Sequence, residues 1–370
     1  MDLEFINVLM CWIIFLILSI KSQNVASSPQ PAPGYITVQA SEKYSSPSFL
    51  KEILLGSNYR REWETPVTMP VFDIRKTNFK IVSMGGGHQT TSLELVDDQN
   101  REWALRSVDK DVKSPKKIMK IDFIEKIVQD HISASYPYAG LSVPLISNAA
   151  GVPAGEQRLY YVPDDPIFGE NRQAMANKVF ILVNNQPQQE KGITTEEMFE
   201  KVHTNKNYYI DQRQYLKARL VDWLIADWDR HDGQWRWTEK ATGSRIAFEV
   251  LPKDRDQAFF RSDGLLIKLI AFLFMPQVNK FIEKPKGIKG LSYKTKRFDK
   301  MFTDQLKKED WERITREFQN NISNAVIEEA IRRQPPEIFA IRGERLIAKL
   351  KSRRDGLFDH VMKYYSYLNG

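Results

Sequence analysis

Two short stretches hold most of the residues in this chain that could do chemistry. The first reads Ala226-Asp227-Trp228-Asp229-Arg230-His231-Asp232-Gly233-Gln234, the second Pro252-Lys253-Asp254-Arg255-Asp256-Gln257-Ala258-Phe259. Clustered carboxylates repel one another, so a cluster kept in a fold usually binds a divalent cation or performs proton chemistry. Asp227, Asp229, Asp254 and Asp256 are the candidates, with Arg230 and His231 beside them. Either loop alone also reads as a solvated charged surface, and His231 alone as a loop-orienting residue. Their arrangement decides between these readings.

The residues between the two loops predict that arrangement. Gln234–Thr238 and Arg245–Leu251 are rich in Trp, Ile, Phe and Val and read as strands. Lys240-Ala241-Thr242-Gly243 joins them, with glycine available where a turn needs positive φ. Paired strands lie about 5 Å apart, so a hairpin here brings both acidic loops to the same end. Trp228, Trp235 and Trp237 read as packing residues of this ribbon.

Other elements must deliver and face these loops. Gln212–Ile225 predicts a helix, because Leu216, Leu220, Val221, Leu224 and Ile225 recur at three- and four-residue spacing. It leads straight into the first loop. Earlier, Lys80–Ser83, Thr91–Val96 and Trp103–Val108 read as three strands, with Asp97–Asn100 as a polar turn. Gly85, Gly86 and Gly87, followed by His88, Gln89 and Thr90, offer backbone N–H groups and a hydroxyl to a phosphate; a plain glycine-rich turn is the competing reading. Ile121–Ser135 predicts a helix with Ile124, Ile127, Val128 and Ile132 on one face, ending ahead of Pro137.

The remaining pattern is β-rich first, then mainly helical. Leu141–Ile146, Leu159–Val162 and Val179–Val183 read as short strands, and Pro47–Leu55 as a helix stopped by Gly56. Asn58–Val71 reads as an extended, aromatic-anchored segment. Leu265–Phe274 is too short to span a bilayer and reads as a buried helix. Helices follow over Asp304–Gln319, Ile322–Gln334 and Glu337–Leu368, with Asp304 and Ser323 as expected N-caps.

Composition bounds the rest. The chain has 370 residues, 42% hydrophobic and 27% charged, which suits one large or two moderate globular domains. Its net charge of +7 is spread along the chain, apart from Lys113–Lys120 and Lys349–Arg354, without interleaved aromatics. It therefore reads as a solvated basic surface with no nucleic-acid partner expected, and a mild attraction to phosphorylated ligands or an anionic membrane as the alternative. Phe5–Ile20 is apolar and precedes a small, polar stretch, as in a signal peptide, although Asp2 and Glu4 stand where basic residues are usual. The expectation is export to the periplasm or cell envelope, or alternatively an uncleaved anchor over residues 5–20. Cys11, the single cysteine, lies in that segment, so a processed chain has no thiol for disulfides or nucleophilic catalysis. The expected organisation is residues 1–27 as targeting segment, 28–57 as linker and short helix, 58–160 as a β-rich region, and 161–370 as a mainly helical region.

Taken together, these residues resemble the protein-kinase-like superfamily, in particular its atypical branches: HipA-type bacterial kinases, type II phosphatidylinositol 4-kinases and secretory-pathway kinases. Asp227-Trp228-Asp229-Arg230-His231 is similar to their catalytic loop, and Asp254-Arg255-Asp256-Gln257-Ala258-Phe259 to their metal loop, in type, order and separation. From Asn58 onward the chain also resembles a family of exported bacterial proteins of unassigned activity, through Tyr59-Arg60-Arg61-Glu62-Trp63, Gly85-Gly86-Gly87-His88-Gln89-Thr90 and Leu105-Arg106-Ser107-Val108.

The resemblance implies an α+β, two-lobed protein-kinase-like fold that binds ATP or another nucleotide with Mg²⁺ or Mn²⁺. It implies phosphoryl or nucleotidyl transfer to a hydroxyl acceptor, with a metal-dependent phosphoesterase or a silent cell-envelope scaffold as alternatives. Asp229 would be the catalytic carboxylate, supported by Arg230 and His231. Asp254 would be the main metal ligand, with Asp256 and Gln234 as further ligands. Gly85, Gly86, Gly87, Gln89 and Thr90 would cover the phosphates. Arg106 or Lys110 would take the place of the third-strand lysine, paired with Asp130. Two departures stand out: Arg106 sits where kinases have Lys, and Gln234 is longer than the usual Asn.

Overall fold

The computed structural model describes residues 32–45, 48–85, 90–111, 122–188, 191–268, 280–285 and 287–370. Every element named below belongs to the compact unit Gly34–Gly370. The expected targeting segment over Phe5–Ile20 lies outside the described residues, as do Gly86, Gly87, His88, Gln89 and most of Leu265–Phe274. Among the described residues no helix is long and apolar enough to cross a membrane.

The fold is α+β, with a β-rich N-terminal region and a mainly helical C-terminal region, as expected. Strands β1 (Tyr35–Val38) and β2 (Val67–Pro70) form an antiparallel pair. Next come β3 (Lys80–Gly85), β4 (Ser92–Val96), β5 (Glu102–Ser107), β6 (Gln157–Val162) and β7 (Lys178–Asn184). These five make an antiparallel sheet in the order β3-β4-β5-β7-β6. The predicted turn between β4 and β5 is held by Asp97, whose carboxylate accepts from the backbone N–H groups of Gln99 and Arg101. One small apolar core, including Phe72, Leu93, Leu105, Phe168 and Phe180, packs on this sheet.

Helices on the N-terminal side are α1 (Phe49–Leu55), α2 (Arg60–Glu64), α3 (Asp122–His131) and α4 (Ala139–Ala149). Two expectations fail here. Asn58–Val71 is not uniformly extended, since α2 interrupts it. Leu141–Ile146 is helical, inside α4, although it contains Pro144. Six apolar or small residues in a row carry no period, and a run that short reads equally as strand or buried helix.

The rest is a helical body with one ribbon. Helices α5 (Thr195–Thr204) and α6 (Gln212–Ile225) precede the hairpin, and α6 matches the predicted limits. Strands β9 (Trp235–Thr242) and β10 (Arg245–Pro252) pair from Thr242↔Arg245 to Trp235↔Pro252, with Gly243 at φ 59° in the turn. The short strand β8 (Tyr208–Ile210) adds in parallel on the other edge of β10. Beyond come α7 (Ile288–Leu291), α8 (Lys296–Met301), α9 (Lys308–Asn321), α10 (Asn324–Arg332), α11 (Glu344–Asp355) and α12 (Leu357–Asn369). Ser323 caps α10 as expected, accepting from the Val326 N–H; α9 begins at Lys308 with Lys307, not Asp304, at its cap. A large core runs through this body, with Trp223, Trp235, Trp237, Trp311 and Phe302 fully buried.

Candidate functional site

The hairpin does what its sequence predicts at its open end. Trp235 pairs with Pro252, and the Lys253 N–H donates to the Gln234 carbonyl at 2.9 Å, so the two acidic loops leave the ribbon side by side. Three residues at these loops hold left-handed backbone without being glycine: Ala226 at φ 55°, Asp254 at 57° and Phe259 at 64°. Such conformations cost a non-glycine residue roughly 1 kcal/mol or more each, so the surroundings must hold them. The Ala226 turn ends α6. The Phe259 turn is held from both sides, by the Tyr59 hydroxyl donating to its carbonyl and by its own N–H donating to Ile225 at 2.8 Å.

Beneath the loops lies a buried charge network. Asp222, on α6, is fully buried and accepts from three guanidinium groups: Arg219 at 2.8 Å, Arg230 at 3.0 Å and Arg255 at 2.9 Å. Burial alone would raise its proton affinity, but the three cations outweigh it and hold the carboxyl well below the usual range. Arg230 is the hinge of this network. It also reaches Asp227 at 3.3 Å, the Gln234 side-chain oxygen at 3.2 Å and the Lys253 carbonyl, and it stacks on Trp235. One side chain thus ties both acidic loops together. Arg255 extends the network to Ser147 on α4 at 2.7 Å.

The four aspartates divide into one buried and three half-exposed groups. Asp227 is buried; its carboxyl is pushed up to about 7 by burial and by the nearby Asp222 and Asp256, against the pull of Arg230. One oxygen of Asp227 accepts from the Asp229 N–H at 3.1 Å, which shapes the loop. Asp229, Asp254 and Asp256 each meet a cation. Lys294 lies 2.7 Å from Asp229, Arg106 lies 3.5 Å from Asp254, and Lys110 bonds Asp256. The Asp254 carboxyl is pushed up, first by the negative charge of Asp256 and then by burial. Burial acts the same way on Asp256, but Lys110 overrides it and the carboxyl is held low. Burial pulls Lys110 down, and the charges of Asp256, Asp254 and Asp229 outweigh it and hold its ammonium group above the usual range.

The cations come from the sheet side. Arg106 is near the end of β5 and Lys110 just beyond it, opposite the loop after β10. Between them opens a cavity of about 160 Å³. Its walls include Thr90, Arg106, Lys110, Asp254 and Asp256, together with apolar Ile132, Val143, Ile181 and Val183. Polar charge converging beside an apolar wall is the usual make-up of a small-molecule site. Gly155 lets the wall close tightly: a Cβ there would sit 1.9 Å from the Asn184 carbonyl oxygen.

Several expected residues stand elsewhere. Asp130 pairs with Arg60 and Lys51, not with Arg106 or Lys110, because α3 turns that side chain toward α1 and α2. It is Gln129 that faces the site side, donating to the Lys110 carbonyl at 2.7 Å. The Gln234 side-chain oxygen accepts from Arg230 at 3.2 Å. His231 is exposed and accepts from the Gly233 N–H at 3.2 Å, capping the turn after the loop. Gly85 ends β3, where a Cβ would meet Glu94 at 2.7 Å.

Among the described residues no group of three His, Cys, Asp or Glu side chains forms a ready-made metal shell. Asp254 and Asp256 nonetheless fit a magnesium ion, which commonly takes one or two carboxylates and completes its shell with water and substrate phosphates. Their mutual repulsion, visible at Asp254, is what a cation would relieve.

Asp222, Arg219, Asp299 and Lys294 are the site-shaping residues that sequence reasoning missed. Asp222 sits inside an apolar helical repeat, and Lys294 lies 65 positions from its partner. No local pattern reveals either.

No family model matches the chain, and no curated protein matches its sequence. Among solved structures, the Helicobacter pylori proinflammatory kinase CtkA is similar over 80% of this chain and 99% of its own, at 12% identity and a TM-score of 0.42. The Rio2 kinase from Chaetomium thermophilum, solved as an ADP/Mg²⁺-phosphoaspartate complex, is similar over 78% and 84%, at 10% identity and a TM-score of 0.26. Likenesses this distant do not fix an activity.

Proposed function

We propose that this protein is an atypical kinase-like phosphotransferase that moves a phosphoryl group from a Mg²⁺-nucleotide to a hydroxyl. The observation that carries the reading is the meeting of Arg106 and Lys110 from the sheet with Asp254 and Asp256 from the loop after β10, at the wall of one cavity. Cations and carboxylates facing each other across a cavity are the parts that a metal–phosphate group separates and binds.

In this reading Asp254 and Asp256 hold the metal, which neutralises phosphate charge when bound. Arg106 and Lys110 exchange their carboxylate partners for phosphate oxygens, with Thr90 on the same cavity wall. The apolar wall takes the base. Asp229 accepts a hydrogen bond from the acceptor hydroxyl and takes its proton as the oxygen–phosphorus bond forms and the bond to the leaving nucleoside diphosphate breaks. Arg230 and Asp227 hold the Asp229 loop in place.

The test is a melting-temperature titration with Mg²⁺-ATP, since a ligand that binds only the folded state raises apparent stability with its concentration. The shift is expected in the wild type and lost in Asp254→Asn, a change that asparagine's tolerance of positive φ allows without disturbing the backbone. Asp229→Asn should keep the shift and stop transfer. Appearance of ADP identifies phosphoryl transfer, and pyrophosphate would instead identify nucleotidyl transfer.

One observation favours a catalytically silent binding protein as the second reading. Asp229, Asp254 and Asp256 each already have a basic partner. A Mg²⁺-independent nucleotide shift with no ADP formed would select it.

A further inference from the structure

The acceptor side of Asp229 is built from one segment. Lys294 lies 2.7 Å from the Asp229 oxygen and 5.8 Å over the Trp228 ring. Its place is not that of a loose surface lysine. The residues on both sides of it are pinned to buried Arg219, which donates to the Ser292 hydroxyl at 3.1 Å and the Thr295 hydroxyl at 2.9 Å. Arg219 in turn is bonded to Asp222 and Asp299. The same network that fixes the catalytic loop therefore fixes the backbone that carries Lys294.

The segment around Lys294 is strongly cationic. Between positions 284 and 300 it has Lys284, Lys286, Lys289, Lys294, Lys296, Arg297 and Lys300, with Asp299 as its single acid. Asp299 is buried and accepts from Tyr215, Arg219 and Tyr364, so it neutralises nothing outside. Lys289 and Lys296 both approach the half-exposed Tyr367 ring, at 4.0 Å and 4.4 Å from its centre, Lys296 also donating to its hydroxyl at 3.1 Å, and among the described residues neither forms an ion pair with a carboxylate. Like charges gathered on one open aromatic face are held against their repulsion, and an anion laid across them relieves it.

We infer that this face, from Lys294 past Tyr367, docks an acidic polypeptide segment and presents its hydroxyl to Asp229. The inference rests on the phosphotransferase reading only for the role of Asp229; the docking is independent of it. An extended acidic chain suits a row of exposed ammonium groups with no enclosing cavity, where steering and selection come from complementary charge.

Two peptides of equal length test this, each with one serine, flanked by Asp and Glu in one and by Asn and Gln in the other. With full-length protein, fluorescence anisotropy should show the acidic peptide binding at least tenfold more tightly, and more weakly as salt rises from about 50 to 300 mM. Lys289→Gln with Lys296→Gln should cut that binding about tenfold while leaving the neutral peptide unchanged. With Mg²⁺-ATP, kcat/KM should favour the acidic peptide, and Lys294→Gln should remove the preference without altering the nucleotide-induced melting shift. Equal binding of both peptides, or equal loss for both in the double variant, overturns the inference. So does a wild type that forms ADP from Mg²⁺-ATP and yet transfers to neither peptide. Binding to phosphatidylglycerol vesicles that the acidic peptide cannot displace overturns it in favour of a lipid surface. Absence of any nucleotide shift, with acidic binding and its double-variant loss intact, leaves the docking supported and removes the phosphotransferase reading instead.

Discussion

The ammonium group of Lys110 lies against the Asp256 carboxylate, joining the segment after β5 to the segment after β10 across the cavity. This ion pair connects the sheet to the acidic loops in a way that neither element could achieve alone. The Asp256 side chain keeps about 35% exposure, so solvent screens the pair and its share of stability is small. In the proposed reading its weight falls on ligand binding.

Lys110→Met is therefore expected to leave the urea midpoint near that of the wild type and to weaken Mg²⁺-ATP binding by at least tenfold. Isothermal titration alongside urea unfolding separates the two effects. A large fall in midpoint with nucleotide affinity intact would assign Lys110 to the scaffold.

Asp222 should behave in the opposite way. It is fully buried under three guanidinium groups, and breaking a buried pair leaves uncompensated charge at a cost of about 3–5 kcal/mol. Asp222→Asn should lose stability on that scale in urea unfolding. A loss below about 1 kcal/mol would mean the arginines find other partners.

The raised carboxyl of Asp227 predicts a pH signature. Its folded value is about 7, against about 3.9 for an unfolded aspartate. The folded chain then binds more protons between those limits, so this group's contribution to stability falls as pH rises through the window. His131 pulls the other way: burial pushes it down to about 4, so its contribution rises with pH up to about 6.5. The difference between wild type and Asp227→Asn isolates the first effect. Urea midpoints from pH 5 to pH 8 should show the variant gaining on the wild type with rising pH, and a constant difference would rule the assignment out.

Gly155→Ala tests the tight wall of the cavity. A Cβ 1.9 Å from the Asn184 carbonyl oxygen forces backbone apart, at about 1–3 kcal/mol. Unfolding should register that cost, and the Mg²⁺-ATP melting shift should shrink because both residues line the cavity. An unchanged nucleotide shift would place the ligand elsewhere.

The ribbon and the meeting of its flanking loops were legible because both depend on nearest-neighbour chemistry: a strand pattern of two, a glycine turn, and pairing geometry. The limits of α6 were legible for the same reason. Partner choice across the fold was not. Asp130 looks free to serve Lys110, yet α3 is oriented by its packing, and Arg60 from a separate helix takes the carboxylate. Gln234 has a ligand's chemistry, but Arg230 had to find buried acceptors, and it takes the Gln234 side-chain oxygen alongside those of Asp222, Asp227 and the Lys253 carbonyl. Lys294 lies in a lysine-rich stretch where six other cations look equivalent until the chain folds.

The left-handed residues at Ala226, Asp254 and Phe259 bear on how the molecule can adapt. Glycine would sit at each with little strain, and would also let each loop sample many shapes. A chain that places bulkier side chains there has given up that compliance on both sides of the ribbon. Whatever accommodation a guest molecule needs is then expected from the sheet wall that faces the aspartates, leaving the aspartates as the fixed jaw of the pair.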